Sequence, residues 1–393
     1  MPVDRMTTST DERATELAAT YDIDIDIAHD LALYHFDSAG FDVRRAALAA
    51  NGVDTSSNFV TGDVSAPAVE DFTVLPPSGT SERARLAAIG ADAIRRGHVG
   101  VVLLAGGMAT RFGGGVKALA EVLPSLRFVD VKIRDLGRAA TDFGATIPMI
   151  LMTSFQSEPV LGAIADELSS DLVPIRTAPQ NMSLRVTPSG ELHRGPDESV
   201  SPYAPGHGDL GDALRSSGAL AEFIGAGGKH LFVTNVDNTG ATLDAAMVGL
   251  HISCGNPLTC EVTPPAPGVV GGAPYFLDGH LQILEDFRVP DHARPEQLAA
   301  INTNSLTIDA EQLTMPHPLT WFVVEKTVDG QPIVQFERLV GELSASLATT
   351  MALVDSEGLD GRFQPVKDPA ELEQRRPAIR EILEARNIIE TIS

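Results

Sequence analysis

Residues 99–117 read VGVVLLAGGMATRFGGGVK, and this stretch decides the architecture. Residues 99–105 form the longest apolar run of the chain, short and rich in valine and leucine, which fits a buried strand better than a helix. Overlapping it, residues 103–117 carry five glycines together with Arg111 and Lys117. Glycines let backbone N–H groups approach a ligand with no Cβ in the way, and two cations in the same loop offset charge that water would otherwise solvate. A strand that runs into such a loop is therefore expected to bind polyphosphate; the alternative is a flexible loop whose cations face solvent. It is not a Walker A loop, because Lys117 is followed by Ala118 where a hydroxyl would hold magnesium. The absence of G-x-G-x-x-G counts against a dinucleotide oxidoreductase.

Outward from this loop, short apolar runs alternate with helix-length segments. The predicted strands are TIPMILMT (146–153), LVPIRTA (172–178), HLFVTNV (230–236) and PLTCEVT (257–263). Between them SEPVLGAIADEL (157–168), LGDALRSSGALAEFIG (210–225) and TLDAAMVGL (242–250) read as helices. The alternation predicts a doubly wound α/β core around a mostly parallel central sheet, with ligands at the carboxyl ends of its strands. Residues 320–339 read as a hairpin turning at Asp329-Gly330, and residues 368–389 as a polar helix capped by Asp368. Upstream, TDERATELAATY (10–21) and RRAALAANGV (44–53) are the best helical stretches of an N-terminal accessory segment. Pro76 and Pro77 end that segment, and Thr80 is placed to cap the next helix, with Glu82 near its positive end. The expected division is an N-terminal helical segment over 1–75, a main domain over 76–340, and a small C-terminal α+β extension over 341–393 that contributes Lys367 and a terminal helix.

A chain of 393 residues supports two or three folding units, and 43% apolar residues argue for a globular protein. The formal net charge of −24 disfavours nucleic acid and anionic membranes as partners, and no basic tract overcomes it. Phosphate-bearing ligands then need local cations, which singles out Arg111, Lys117, Lys326 and Lys367 against the usual reading of a surface cation as merely solvated. No apolar stretch is long enough to span a bilayer, and the N-terminal residues have no apolar core of the kind a secretory leader needs. Cys254 and Cys260 match neither zinc nor redox spacing and are expected to be buried small residues, which with the rest favours the reducing cytoplasm.

The Gly-rich loop opens an ordered set of short motifs. After it come Ala178-Pro179-Gln180-Asn181, Pro205-Gly206-His207-Gly208-Asp209 and Phe232 through Asn238 (FVTNVDN). Glu261-Val262-Thr263, Gly271-Gly272, Asn302-Thr303-Asn304 and Arg362 through Lys367 (RFQPVK) complete the set. Taken together, over about 94–367, these resemble the UTP–glucose-1-phosphate uridylyltransferase and UDP-N-acetylhexosamine pyrophosphorylase superfamily.

The resemblance implies a Rossmann-like nucleotidyltransferase domain, similar to the GT-A type, that joins a nucleoside triphosphate to a sugar 1-phosphate with Mg²⁺ as cofactor. Ala105, Gly106 and Gly107 would present backbone to the nucleotide, Arg111 would clamp the outer phosphates and Lys117 the reacting one. Gln180 would hydrogen-bond the base, with Pro205 and Gly206 close to the ring and His207 reaching base or phosphate; a packed histidine is the alternative for the last. Asp237 would hold Mg²⁺, although an aspartate at a strand end is as often a helix cap. Asn235, Asn302 and Asn304 would bond sugar hydroxyls, with Glu261, Gly271 and Gly272 completing the sugar pocket. Lys367 would bridge the two substrates' phosphates, against the alternative of a solvated lysine before a helix.

Departures from the family pattern bear on the substrate. Ala109 and Val116 stand where the family commonly has glycine and proline, Ser305 replaces a second amide, and Val270 stands where eukaryotic glucose-1-phosphate enzymes have lysine. UTP and glucose 1-phosphate are favoured, with GTP, ATP, or a cyclitol or amino-sugar 1-phosphate as alternatives. The C-terminal β-helix domain of eukaryotic members is expected to be absent, so no oligomeric contacts carry over. Two other classes compete: a metal-dependent glycosyltransferase and a nucleotide-sugar sensor without turnover.

Overall fold

The computed structural model describes residues 9–108, 114–266 and 271–390. Arg111 and Val270, both singled out from the sequence, lie outside the described residues.

The chain opens with α1 (Thr10–Tyr21), α2 (Ile25–Leu33) and α3 (Ser38–Asn51), whose N-terminal amides are capped by Ser9, Asp24 and Asp37. Two short strands, β1 (Val64–Ser65) and β2 (Thr73–Val74), precede α4 (Ser81–Arg95), which the Thr80 hydroxyl caps as expected. The central run is β3 (Val99–Leu104), β4 (Glu121–Leu123), β5 (Leu126–Arg127), α5 (Phe128–Phe143), β6 (Met149–Thr153), α6 (Glu158–Leu168) and β7 (Ile175–Pro179). It continues through β8 (Ser183–Leu184), β9 (Pro202–Tyr203), α7 (Leu210–Ser216), α8 (Ala219–Gly225), β10 (His230–Asn235), α9 (Ala245–Cys254) and β11 (Leu258–Thr263). Next come β12 (Ala273–Leu277), β13 (His280–Leu284), β14 (Ile301–Asp309), β15 (Phe322–Val328) and β16 (Gln331–Glu337). The last elements are α10 (Leu343–Ser346), β17 (Thr349–Leu353) and α11 (Pro369–Ala385).

Eight strands form one sheet in the order β2-β17-β11-β14-β10-β3-β6-β7. All its pairings are parallel except those of β14, which runs antiparallel to both β10 and β11. Helices cover both faces: α5, α6 and α11 supply one apolar layer, α7 and α8 the other. That is why β3 and β6 are apolar on both sides, with every residue from Val99 to Leu103 and from Met149 to Thr153 buried. Fully burying a side chain such as Leu103 or Ile150 contributes about 1.5–3 kcal/mol, so the sheet centre is the stiffest platform available for a site.

The structure amends several expectations. Residues 210–225 are two helices, because Gly218 adopts φ +77° and ends the first. Cys254 is exposed rather than buried, while Cys260 lies inside the sheet as expected. The divisions expected at 75/76 and 340/341 fall within the span of the central sheet, since β2 and β17 both belong to it. The N-terminal helices pack Leu17, Tyr21, Leu31 and Phe41 against Leu184, Val334 and Phe336, a cluster joined to the β15–β16 hairpin. That hairpin turns at Asp329-Gly330, as read from the sequence.

Candidate active site

The carboxyl ends of β3 and β10 lie side by side, with Leu104 opposite Asn235 in parallel register. The residues that leave these two strands therefore meet. After β3, the Ala105 N–H donates to Met152, and the Gly106 carbonyl accepts from the Ser154 hydroxyl at 2.9 Å. A Cβ at Gly106 would stand 2.1 Å from Gln180 Nε2, so only glycine lets this amide lie against the turn. Among the described residues nothing lies within 4 Å of where a Gly107 Cβ would stand, and the Gly107 carbonyl accepts from Lys117 N–H at 3.1 Å. With the Met108–Val116 bridge, this contact closes the base of the loop and returns Lys117 to the strand end.

Lys117 Nζ forms an ion pair with Asp237, two residues beyond the end of β10. Both side chains are largely buried. Asp237 is not a helix cap: α9 begins later and takes its cap from Asp244. Asp237 instead leads into a tightly held turn. Buried Lys132 of α5 donates to the carbonyls of Asn238 and Ala241, each at 2.6 Å. Asp135, one helical turn on, accepts from Leu243 N–H at 2.8 Å. Burial pushes the Lys132 ammonium down to about 8. Sequence reading missed this pair. Its signal was present, because Lys132 and Asp135 interrupt the buried face formed by Phe128, Val129, Val131, Leu136 and Ala139.

Asn238 carries the turn to the C-terminal segment. Its Nδ2 donates to the Arg362 carbonyl at 3.1 Å and its Oδ1 accepts from Gln364 N–H at 2.8 Å. Arg386 adds bonds to the carbonyls of Gly240 and Gly361. Lys367 lies three residues beyond Gln364, is exposed, and directly precedes the Asp368 cap of α11.

On the β7 side, Gln180 N–H donates to the Thr153 carbonyl, the residue is 7% exposed, and its Oε1 has no hydrogen-bond partner among the described residues. A buried amide oxygen left this way is costly unless a ligand donor meets it. Pro205, Gly206 and His207 form the neighbouring turn, where Gly206 takes φ +105° against the Arg338 backbone. Arg338 N–H donates to the Pro205 carbonyl, and Gly208 N–H to the Arg338 carbonyl, both at 2.9 Å. His207 Nδ1 accepts from Val340 N–H at 2.9 Å, and burial pushes its imidazole down to about 4, so it is neutral at physiological pH. Arg338 pairs with fully buried Asp209, whose other oxygen accepts from Asn181 N–H at 3.1 Å. This pair couples the Gln180 and His207 segments and was also missed from the sequence.

Because β14 is antiparallel, its N-terminal end reaches the same rim. Asn304 adopts φ +57° and its Nδ2 donates to Asn235 Oδ1 at 2.9 Å. Asn302 Oδ1 accepts from Asn304 N–H, and Asn302 N–H donates to the Gly272 carbonyl at 2.7 Å, which brings Gly271 and Gly272 alongside. Glu261 is placed differently from the expectation of a sugar ligand. It is fully buried beneath the rim, and both its oxygens accept from Arg362 at 2.7 Å. Its carboxylate is committed to fastening the 362–364 segment, and the rim is left to the asparagines.

The chain's residues 67–374 match the family model for UTP–glucose-1-phosphate uridylyltransferase. The barley UTP–glucose-1-phosphate uridylyltransferase is 30% identical over 294 residues, covering 69% of this chain and 60% of the barley protein. The yeast (Saccharomyces cerevisiae) protein of that name is 29% identical over 289 residues, covering 69% of this chain and 58% of the other. The chain thus spans about 60% of the length of the curated relatives it matches. Among solved structures, the Trypanosoma brucei uridine diphosphate N-acetylglucosamine pyrophosphorylase superposes with a TM-score of 0.70 at 17% identity, covering 95% of this chain and 85% of the other. A UDP-glucose phosphorylase from the same organism gives 0.67 at 20% identity, covering 94% and 79%. These two likenesses establish the nucleotidyltransferase fold, and the match over residues 67–374 establishes the lineage: the chain belongs to the UTP–glucose-1-phosphate uridylyltransferase family.

Proposed function

We propose that the protein transfers a uridylyl group from UTP to a sugar 1-phosphate, most simply glucose 1-phosphate, and releases pyrophosphate. The observation that carries this is the meeting of the Gly106-Gly107 turn, Lys117 and Asp237 where β3 and β10 end. A phosphate monoester is already ionised near neutral pH, so attack of its oxygen on the α-phosphorus needs alignment and charge neutralisation rather than a general base. Lys117 takes the reacting phosphate, with Arg111 proposed for the outer phosphates and Lys367 for the sugar phosphate. Ala105, Gly106 and Gly107 present backbone to the nucleotide. Gln180 offers its unpartnered oxygen to the uracil N–H, beside Pro205, Gly206 and His207. Asn235, Asn302 and Asn304 are proposed to bond the sugar hydroxyls, with Gly271 and Gly272 leaving room for the ring.

A magnesium ion suits Asp237. The residue is a hard oxygen donor at the phosphate end of the cleft, and among the described residues only Lys117 is hydrogen-bonded to it. Held there, the ion would supply charge neutralisation on the departing pyrophosphate. Lys117 and Asp237 neutralise each other as an ion pair, and a bound triphosphate would draw Lys117 to phosphate and leave the carboxylate to the ion.

A glycosyltransferase would use a finished nucleotide sugar, and it has no need of a cationic Gly-rich loop to receive pyrophosphate. A turnover-free sensor would bind the same ligands silently. Unpaired thiols at Cys254 and Cys260 are in keeping with a cytoplasmic setting. The test is pyrophosphate release from four triphosphates set against several sugar and cyclitol 1-phosphates with Mg²⁺, in wild type and Lys117→Ala. Activity with UTP that falls about 10²–10³-fold in the variant supports the proposal. Ligand binding without pyrophosphate release in wild type would favour the sensor instead.

A further inference from the structure

At the end of the sheet opposite the cleft, three side chains converge. His230 opens β10, Asp309 closes β14, and the two face each other in register. His251, on the last turn of α9, comes down onto the same point. His230 Nδ1 lies 2.7 Å and His251 Nε2 3.1 Å from Asp309 Oδ1, and the three ligating atoms all fall within 4.8 Å of one another. We propose that His230, His251 and Asp309 form a second cation site, for a divalent first-row transition ion of the zinc class.

Several features favour an ion over a purely hydrogen-bonded triad. Zinc bonds nitrogen and carboxylate oxygen at about 2.0–2.1 Å, which sets neighbouring ligand atoms roughly 3.3 Å apart in a tetrahedron. The observed separations of 2.7 and 3.1 Å would open by about 0.6 and about 0.2 Å to reach that spacing. The imidazoles cross edge to face, 5.2 Å between centroids at 82°, and each brings one nitrogen to Asp309 Oδ1. His251 is buried, and its Nδ1 meets the Thr259 hydroxyl at 2.9 Å. With Nδ1–H donating there, Nε2 is left with its lone pair toward the ion, the outer-shell arrangement metal-bound histidines use. His230 and Asp309 are part-exposed, which gives the ion a way in and a water a fourth position.

Charge supports the same choice. As a carboxylate, Asp309 supplies the negative ligand that two neutral imidazoles lack. Two imidazole nitrogens suit an ion of the zinc class better than a hard ion that prefers all-oxygen ligands. Filled, the site would pin α9, β10 and β14 together at one point.

The test uses the full chain stripped with a chelator, then titrated calorimetrically with Zn²⁺ in excess Mg²⁺, with Co²⁺ as a spectroscopic probe of nitrogen ligation. One equivalent of Zn²⁺ should bind. His230→Gln and Asp309→Asn, both at part-exposed positions, should weaken it by about 10-fold or more, while Asp237→Asn in the cleft should leave it unchanged. Circular dichroism establishes that each variant is folded. Absence of zinc uptake by wild type, or uptake that both triad variants retain at full affinity, overturns the proposal and leaves a hydrogen-bonded fastening of α9 to the sheet.

Discussion

Arg362→Met removes one partner of the best-buried ion pair in the site's foundation. Arg362 is 2% exposed and Glu261 fully buried, and the guanidinium donates to both carboxylate oxygens at 2.7 Å. A further bond to the Thr242 carbonyl, at 3.2 Å, is lost with it. Breaking a buried pair from one side leaves an uncompensated charge and costs about 3–5 kcal/mol, whereas replacing both partners with apolar groups is often close to neutral. Urea unfolding at neutral pH should thus show a large fall in midpoint for Arg362→Met and substantial recovery in Arg362→Met/Glu261→Leu. Because the 362–364 backbone is also tied to Asn238, the single variant should raise KM for the sugar phosphate. Equal stability of single and double variants, or a loss under about 1 kcal/mol, would refute the assignment of Glu261 to the fastening of this segment.

Two further perturbations probe the rim. Gly106→Ala places a Cβ 2.1 Å from Gln180 Nε2, which must displace that amide; steady-state kinetics should show KM for the triphosphate rising about tenfold, the equivalent of one lost hydrogen bond, with a smaller change in kcat. Lys132 has a folded value of about 8, below its ordinary 10.5, so the unfolded chain holds more protons between those values and stability should rise with pH across that window. The gain is about 3 kcal/mol at most, measured by urea unfolding from pH 7.5 to 10.5, and Lys132→Met should lack it.

The fold was legible where periodicity and turn chemistry act locally. The β3 run, the Thr80 and Asp368 caps and the Asp329-Gly330 hairpin are set by neighbours in the chain, and each lies where the pattern put it. The direction of β14 was not, since antiparallel insertion into a parallel sheet depends on partners far away in sequence. The site shows the same division. Residues that would face ligands sit in short motifs with their chemistry on display, as Gly106, Gln180 and Asp237 do. Residues that hold those motifs in place do not. Lys132 bonds residues more than a hundred positions away, and Glu261 reads as a ligand until Arg362 is seen to occupy both its oxygens. The exposure of Cys254 likewise depends on where α9 ends at the surface, which composition does not encode.

The most direct measurement tracks oxygen. When UTP reacts with a sugar 1-phosphate whose phosphate oxygens carry ¹⁸O, attack at the α-phosphorus retains all the label in the nucleotide sugar and releases unlabelled pyrophosphate, as mass spectrometry of the two products would read. Label in the pyrophosphate, or no pyrophosphate from any triphosphate paired with any sugar 1-phosphate, would contradict the role given to the Gly106-Gly107 turn, Lys117 and Asp237.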